Sequence, residues 1–170
     1  MLTSIQELFQ HMHWADGLVW NSVLKLSDSN NDLRLQELLY HIHAVQHAYL
    51  RIWLNQPLDL PKATDFGKIK DVSQWGQKYY NNLWEYLDRI DESSLEGIVN
   101  PPWGDRIEEF LGKPPSPATL AQTMLQVISH STYHRGQVNK LLRELKGEPP
   151  LVDFISWIWL GKTQTIWPEV

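Results

Sequence analysis

The chain has 170 residues, the length of one ordinary domain and enough to bury roughly 70% of its unfolded surface without metals or disulfides. Its residues are 42% hydrophobic and 21% charged, which excludes collagen-like, low-complexity and wholly disordered chains. Fifteen Lys and Arg against twenty Asp and Glu leave a formal charge of -5 without an arginine block, so nucleic acid is not an expected partner.

The N-terminal stretch Met1 to Trp14 mixes Gln6, Glu7, Gln10, His11 and His13 among its apolar residues. Nowhere do about 18 apolar residues run together, so neither a signal peptide nor a membrane span is expected, and the expected location is cytoplasmic. From residue 4 to 26, Ile5, Leu8, Phe9, Met12, Ala15, Val19, Val23 and Leu26 recur at steps of three and four, behind Ser4 and Glu7 as a capping box. This predicts an amphipathic helix. Ser27, Asp28, Ser29, Asn30 and Asn31 form a polar break, and Leu35, Leu38, Ile42, Val45, Tyr49 and Ile52 then carry a second helix up to Asn55. Residues 57–70 hold prolines and Gly67 and read as a connection. A third helix is expected over Asp71 to Asp91, with Trp75, Tyr79, Leu83, Tyr86 and Ile90 facing inward.

Residues 93–115 are irregular, with four prolines and two glycines from Pro101 onward, and a loop this long inside a compact domain is usually functional. Ser116 with Pro117 is read as the start of a fourth helix that runs through Leu120, Met124, Val127, Ser131, Val138, Leu141 and Leu145 to Gly147. A short apolar segment, Asp153 to Leu160, closes the chain against the bundle. The expected architecture is all-α: a single domain over residues 1–170, built as a four-helix bundle with long connections and a short C-terminal apolar segment.

Cysteine is absent, so thiolate zinc sites and cysteine nucleophiles are excluded and any metal must use nitrogen and oxygen ligands. Seven histidines fall in clusters at 11/13, 41/43/47 and 130/134. Advancing about 100° per residue places His41 about 70° from the centre of the second helix's apolar face, with His43 and His47 roughly 130° and 170° away. On the fourth helix His134 falls near the face centre and His130 about 60° to 80° aside. His41, His130 and His134 are therefore expected to point inward, and His11, His13, His43 and His47 to lie at the surface or flanks. His130 and His134 are four apart, a spacing that lets two imidazoles chelate one ion, and a third inward histidine leaves an open coordination position. Three neutral imidazoles suit zinc, nickel or another borderline divalent transition metal. The alternative is that these histidines are ordinary core residues hydrogen-bonded to their neighbours.

Asp16 falls on the apolar face of the first helix, where a buried carboxylate needs a partner. It is a candidate fourth ligand or an acceptor holding a ligand imidazole; alternatively it pairs with Arg135 or caps a connection. Arg135 lines a pocket or, as the favoured reading, forms a structural ion pair with Asp153 or Glu144. Gly136 permits close helix approach, and Trp103, Tyr133 and Gln137 are further pocket candidates.

The segments HWADGLVW at 13–20, LLYHIHAVQHAYLRIWL at 38–54 and above all MLQVISHSTYHRGQVNKLLREL at 124–145 resemble the DinB superfamily, the damage-inducible group of bacterial four-helix-bundle proteins. The tail GEPPLVDFISWIW at 147–159 resembles the ending common among its members. The resemblance runs along nearly the whole chain, and HxxxHRGQ is its most specific part. It implies metal ligation by the histidine of an L-x-H segment, here His41, and by the two histidines of H-x-x-x-H-R-G-Q, here His130 and His134. It also implies a frequent homodimer and, for some members, metal-dependent transfer or isomerisation using low-molecular-weight thiols. The expected function is a metal-dependent enzyme such as a thiol transferase acting on a small molecule, with a non-catalytic metal-binding interaction or stress-response module as the alternative.

Overall fold

The computed structural model describes residues 1–27, 29 and 32–169, apart from the side chain of Asp105; Asp28, Asn30 and Asn31 of the expected polar break lie outside the described residues. Four long helices form the bundle: α1 (Leu2–Leu24), α2 (Leu33–Trp53), α3 (Ile69–Leu87) and α5 (Leu120–Glu144). A short helix α4 (Gly104–Leu111) lies in the connection before α5, and α6 (Phe154–Trp159) follows it. The most extensive helix–helix contact is between α2 and α5, followed by α1 with α5. Among the described residues no helix is long and apolar enough to cross a membrane.

The bundle encloses a continuous apolar core that includes Phe9, Met12, Leu39, Ile42, Leu83, Met124, Val127 and Val138. α2 begins where Asp32 accepts the backbone N–H of Leu35 at 3.0 Å, the expected N-cap chemistry. α1 starts differently from expectation, at Leu2. Glu92 accepts the Met1 amino group and the Leu2 N–H at 2.7 and 2.9 Å, while Glu7 pairs instead with Lys162. A carboxylate from outside the helix thus takes the place of the Ser4–Glu7 box.

The start of α5 also needs correction. Ser116 and Pro117 stay outside the helix, and Thr119 is the N-cap, its hydroxyl accepting from Gln122 N–H while Gln122 accepts the Thr119 N–H at 2.9 Å. The cause lies in the preceding chain: β1 (Ile98–Val99) pairs antiparallel with β2 (Ala118–Thr119), and Leu120 N–H donates to the Gly97 carbonyl at 2.7 Å. This two-stranded ladder holds 118–119 extended, so the helix cannot start earlier.

The C-terminal segment packs as expected. Trp157 of α6 is buried against Trp14 and Ala15, and Trp167 reaches the main core, where its indole N–H donates to Ser73 Oγ at 3.1 Å. Trp159, by contrast, is 78% exposed.

Candidate metal centre

α2 buries Leu35, Leu39, Ile42, His43, Gln46, His47, Tyr49 and Leu50. Its inner face is therefore centred nearer Ile42 and Gln46 than the Leu38–Val45 line on which the angular estimate rested. His43 and His47, expected at the surface, are buried, and His41 is exposed. His11 is buried as well, its Nε2–H donating to the Val152 carbonyl at 2.9 Å within a shell of Trp14, Phe154 and Trp157. His13 is half-buried, stacked on Tyr80 at 4.0 Å between centroids. On α5 the buried line runs through Met124, Val127, Ser131, Arg135 and Val138, which leaves His130 and His134 half-buried at its edge.

The edges of α2 and α5 face each other, and there His41, His130 and His134 meet. Ring centroids are 4.9 Å apart for His41–His130, 4.6 Å for His41–His134 and 4.3 Å for His130–His134. One ligating nitrogen from each lies within 4.8 Å of the others. The Nε2 atoms of His41 and His130 are 3.1 Å apart, close to the roughly 3.3 Å that separates two nitrogens bound tetrahedrally at about 2.05 Å. The three histidines meet at the rim of the bundle rather than in its interior, where helical spacing from the apolar residues predicts them.

Protonation favours cation binding. The Gln137 carbonyl oxygen accepts from His134 Nδ1 at 2.7 Å, which puts the proton on Nδ1 and leaves the Nε2 lone pair free. Burial, then the neighbouring His134 and His41 rings, lower the His130 pKa to about 4. Burial and His134 likewise lower that of His41. His130 Nδ1 is buried without a hydrogen-bond partner. Three crowded imidazoles with one shared hydrogen bond between His41 and His130 fit a borderline divalent cation.

The fold agrees with comparison to known proteins. The family model described as the DinB family matches residues 1–165. The chain belongs to the DinB family. A crystal structure of a DinB-like protein from Bacillus cereus ATCC 10987 superposes with a TM-score of 0.57 at 18% identity, covering 86% of this chain and 91% of that one; at that identity the likeness concerns the fold. No curated protein matched the chain.

The remaining candidates of this DinB-family chain separate into two groups. Asp16 and Arg135 lie away from solvent and bind each other, Arg135 Nη1 donating to Asp16 Oδ1 at 2.6 Å. Tyr80 and Gln46 donate to Asp16 Oδ2 at 2.5 and 3.0 Å. Burial alone would push the Asp16 carboxyl up, but Arg135, then His43 and these hydrogen bonds, hold it below the usual carboxylate range. The Asp16 oxygens are thus spent inside the protein, Asp16 is absent from the three-histidine cluster, and Arg135 pairs with Asp16 rather than Asp153 or Glu144. Gly136 faces open space. Gln137 holds His134, exposed Tyr133 stands edge-on to the His134 ring at 4.9 Å, and Trp103 lines a cleft that reaches His130.

A second histidine network lies inside the bundle, one that apolar periodicity does not reveal. Trp20 Nε1–H donates to His43 Nε2 at 2.8 Å, His43 Nδ1–H donates to Gln46 Oε1 at 2.8 Å, and Gln46 Nε2–H donates on to Asp16 and to Ser131. Burial lowers the His43 pKa. The available signal was the polar run of Asp16, His43, Gln46 and Arg135, whose mutual complementarity appears only once three helices are docked.

Proposed function

We propose that His41, His130 and His134 together hold one divalent transition-metal ion, zinc or nickel, and that the chain is a metal-dependent enzyme of low-molecular-weight thiol transfer. The observation that carries this reading is the convergence of three ring nitrogens within 4.8 Å at the α2–α5 rim. A bound ion would supply Lewis acidity and ease deprotonation of a thiol or water reaching it. The protein's own part is positional and electrostatic. Gln137 fixes the His134 tautomer, burial keeps His130 and His41 uncharged near neutral pH, and the exposure of His41 leaves the site open to a small molecule. A homodimer belongs to the same proposal, supported by the exposed Trp159 and Leu160 of the C-terminal segment.

The test is elemental analysis of protein purified without an affinity tag, with His41→Ala beside it. One equivalent of metal in the wild type and none in the variant is expected; absence of stoichiometric transition metal after loading overturns the reading. A conjugation screen with glutathione, bacillithiol and mycothiol then addresses the reaction. One observation favours a second reading, a non-catalytic metal-binding module: among the described residues the cluster holds no carboxylate that could act as a general base beside a bound ion. Uniform inactivity with all three thiols in metal-loaded protein would favour that module.

A further inference from the structure

His130 belongs to two features at once. It is one of the three clustered rings, and it also lines a cleft of about 400 Å³ between α2, α5 and the two long connections. On α2 the cleft wall carries Ala44 and Ala48, one turn apart, so the helix surface there is flat and thinly covered. Tyr49 and Trp103 form an aromatic side, edge-to-face at 5.2 Å and 78°. Leu60 from the connection after α2 adds another apolar wall. No Asp, Glu, Lys or Arg is among the lining residues. Apart from Gln126 and His130 the lining is Ala44, Val45, Ala48, Tyr49, Leu60 and Trp103, a surface that compensates a charged guest poorly and against which a flat neutral one gains by leaving water.

We propose that this cleft binds a neutral two-ring aromatic group of a molecule whose other end reaches the three-histidine site. The inference rests on the metal-binding reading for that other end, while the cleft itself rests on shape and lining alone. A cavity of about 150 Å³ accommodates benzene, so the larger volume here has room for a fused pair of rings. Tyr49 and Trp103 supply edge-to-face contacts, and Ala44 and Ala48 admit a flat face close to the helix. The shared wall at His130 sets the orientation: ring system in the cleft, polar end toward the histidines.

The experiment compares two zinc-binding probes that differ only in what they place in the cleft, acetohydroxamate and 2-naphthohydroxamate. On zinc-loaded protein, 2-naphthohydroxamate is expected to bind at least about tenfold more tightly. Ala48→Trp and Ala44→Phe, which fill the cleft, are expected to abolish that difference without lowering zinc content, with circular dichroism confirming the fold. Equal affinities for the two probes, or a difference that survives both substitutions, overturns the proposal. In the unsubstituted protein, nuclear Overhauser contacts from the naphthyl protons to the Ala44 and Ala48 methyl groups give a readout independent of variant folding, and their absence from the bound complex counts against the cleft. The neutral dye N-phenyl-1-naphthylamine, applied to zinc-free protein, separates the two readings. Uptake that Ala48→Trp removes supports the cleft even where zinc fails to bind, and uptake by neither protein, or equally by both, overturns it.

Discussion

His41 and His43 stand two residues apart on α2, yet they belong to opposite kinds of polar cluster. Inside the bundle, both ring nitrogens of His43 are matched, one accepting from Trp20 and one donating to Gln46, and the chain of bonds ends on a carboxylate neutralised by Arg135. At the rim, His41 shares one contact with His130, and His130 keeps a buried nitrogen with no partner. The inner cluster has its hydrogen-bonding demands met by protein, so it is expected to stabilise the fold. The outer one brings three ring nitrogens together with only the mutual His41–His130 hydrogen bond between the rings, so it is expected to take up a cation.

The contrast is broken most severely at Asp16. Asp16→Ala leaves the Arg135 guanidinium buried and uncompensated, and a loss of about 3–5 kcal/mol is expected in urea unfolding. A change below about 1 kcal/mol would show that the inner network is dispensable. Gly76→Ala comes next, because a Cβ there would stand 2.4 Å from the His43 ring. Overpacking of about 1–3 kcal/mol is expected in the same assay, with zinc stoichiometry unchanged. Gln137→Met removes the acceptor from His134 Nδ1 while conserving bulk, and calorimetric titration should show zinc affinity about 10–100-fold weaker.

A pH titration sharpens the comparison without touching either cluster's centre. Burial lowers His47 from 6.5 to about 4, and its Nε2–H donates to the Trp75 carbonyl. Between pH 6.5 and 4 the unfolded chain binds a proton there that the folded chain excludes. Stability is therefore complete above that window and declines through it as pH falls, by up to about 1.4 kcal/mol per pH unit. His13, lowered to about 4 mainly by burial, contributes in the same direction. His47→Gln, which can keep a donor toward Trp75, should make the slope shallower. The smallest effect belongs to His41→Ala in metal-free protein, where exposure of the ring limits the change to about 0.5 kcal/mol; the rise in melting temperature on adding zinc to wild type should vanish in this variant.

The four long helices were legible because apolar residues recur at helical spacing, and the His130–His134 pair because four residues return a helix to the same side. Their angular position was less legible. Because His43 and Gln46 are interior although polar, the apolar residues alone centre the α2 face toward Leu38 and Val45 and place His41 too far inside. The three rings still met because α2 and α5 approach edge to edge. α4 and the β1–β2 ladder left almost no pattern: each strand has two residues, and the apolar Ile107, Phe110 and Leu111 of α4 face solvent to a large extent. Ser116–Pro117 and Thr119–Gln122 are both plausible local starts for α5, and only the distant pairing of Ile98 and Val99 decides between them.

That ladder has a consequence for how such a protein diversifies. Its two rungs, Ile98 with Thr119 and Val99 with Ala118, seal the neck of an excursion that carries Trp103 and α4. Lengthening a flexible excursion costs only about 0.6 kcal/mol per doubling. The excursion can therefore change in length and sequence at small cost, while His41, His130 and His134 stay anchored on rigid helices outside it.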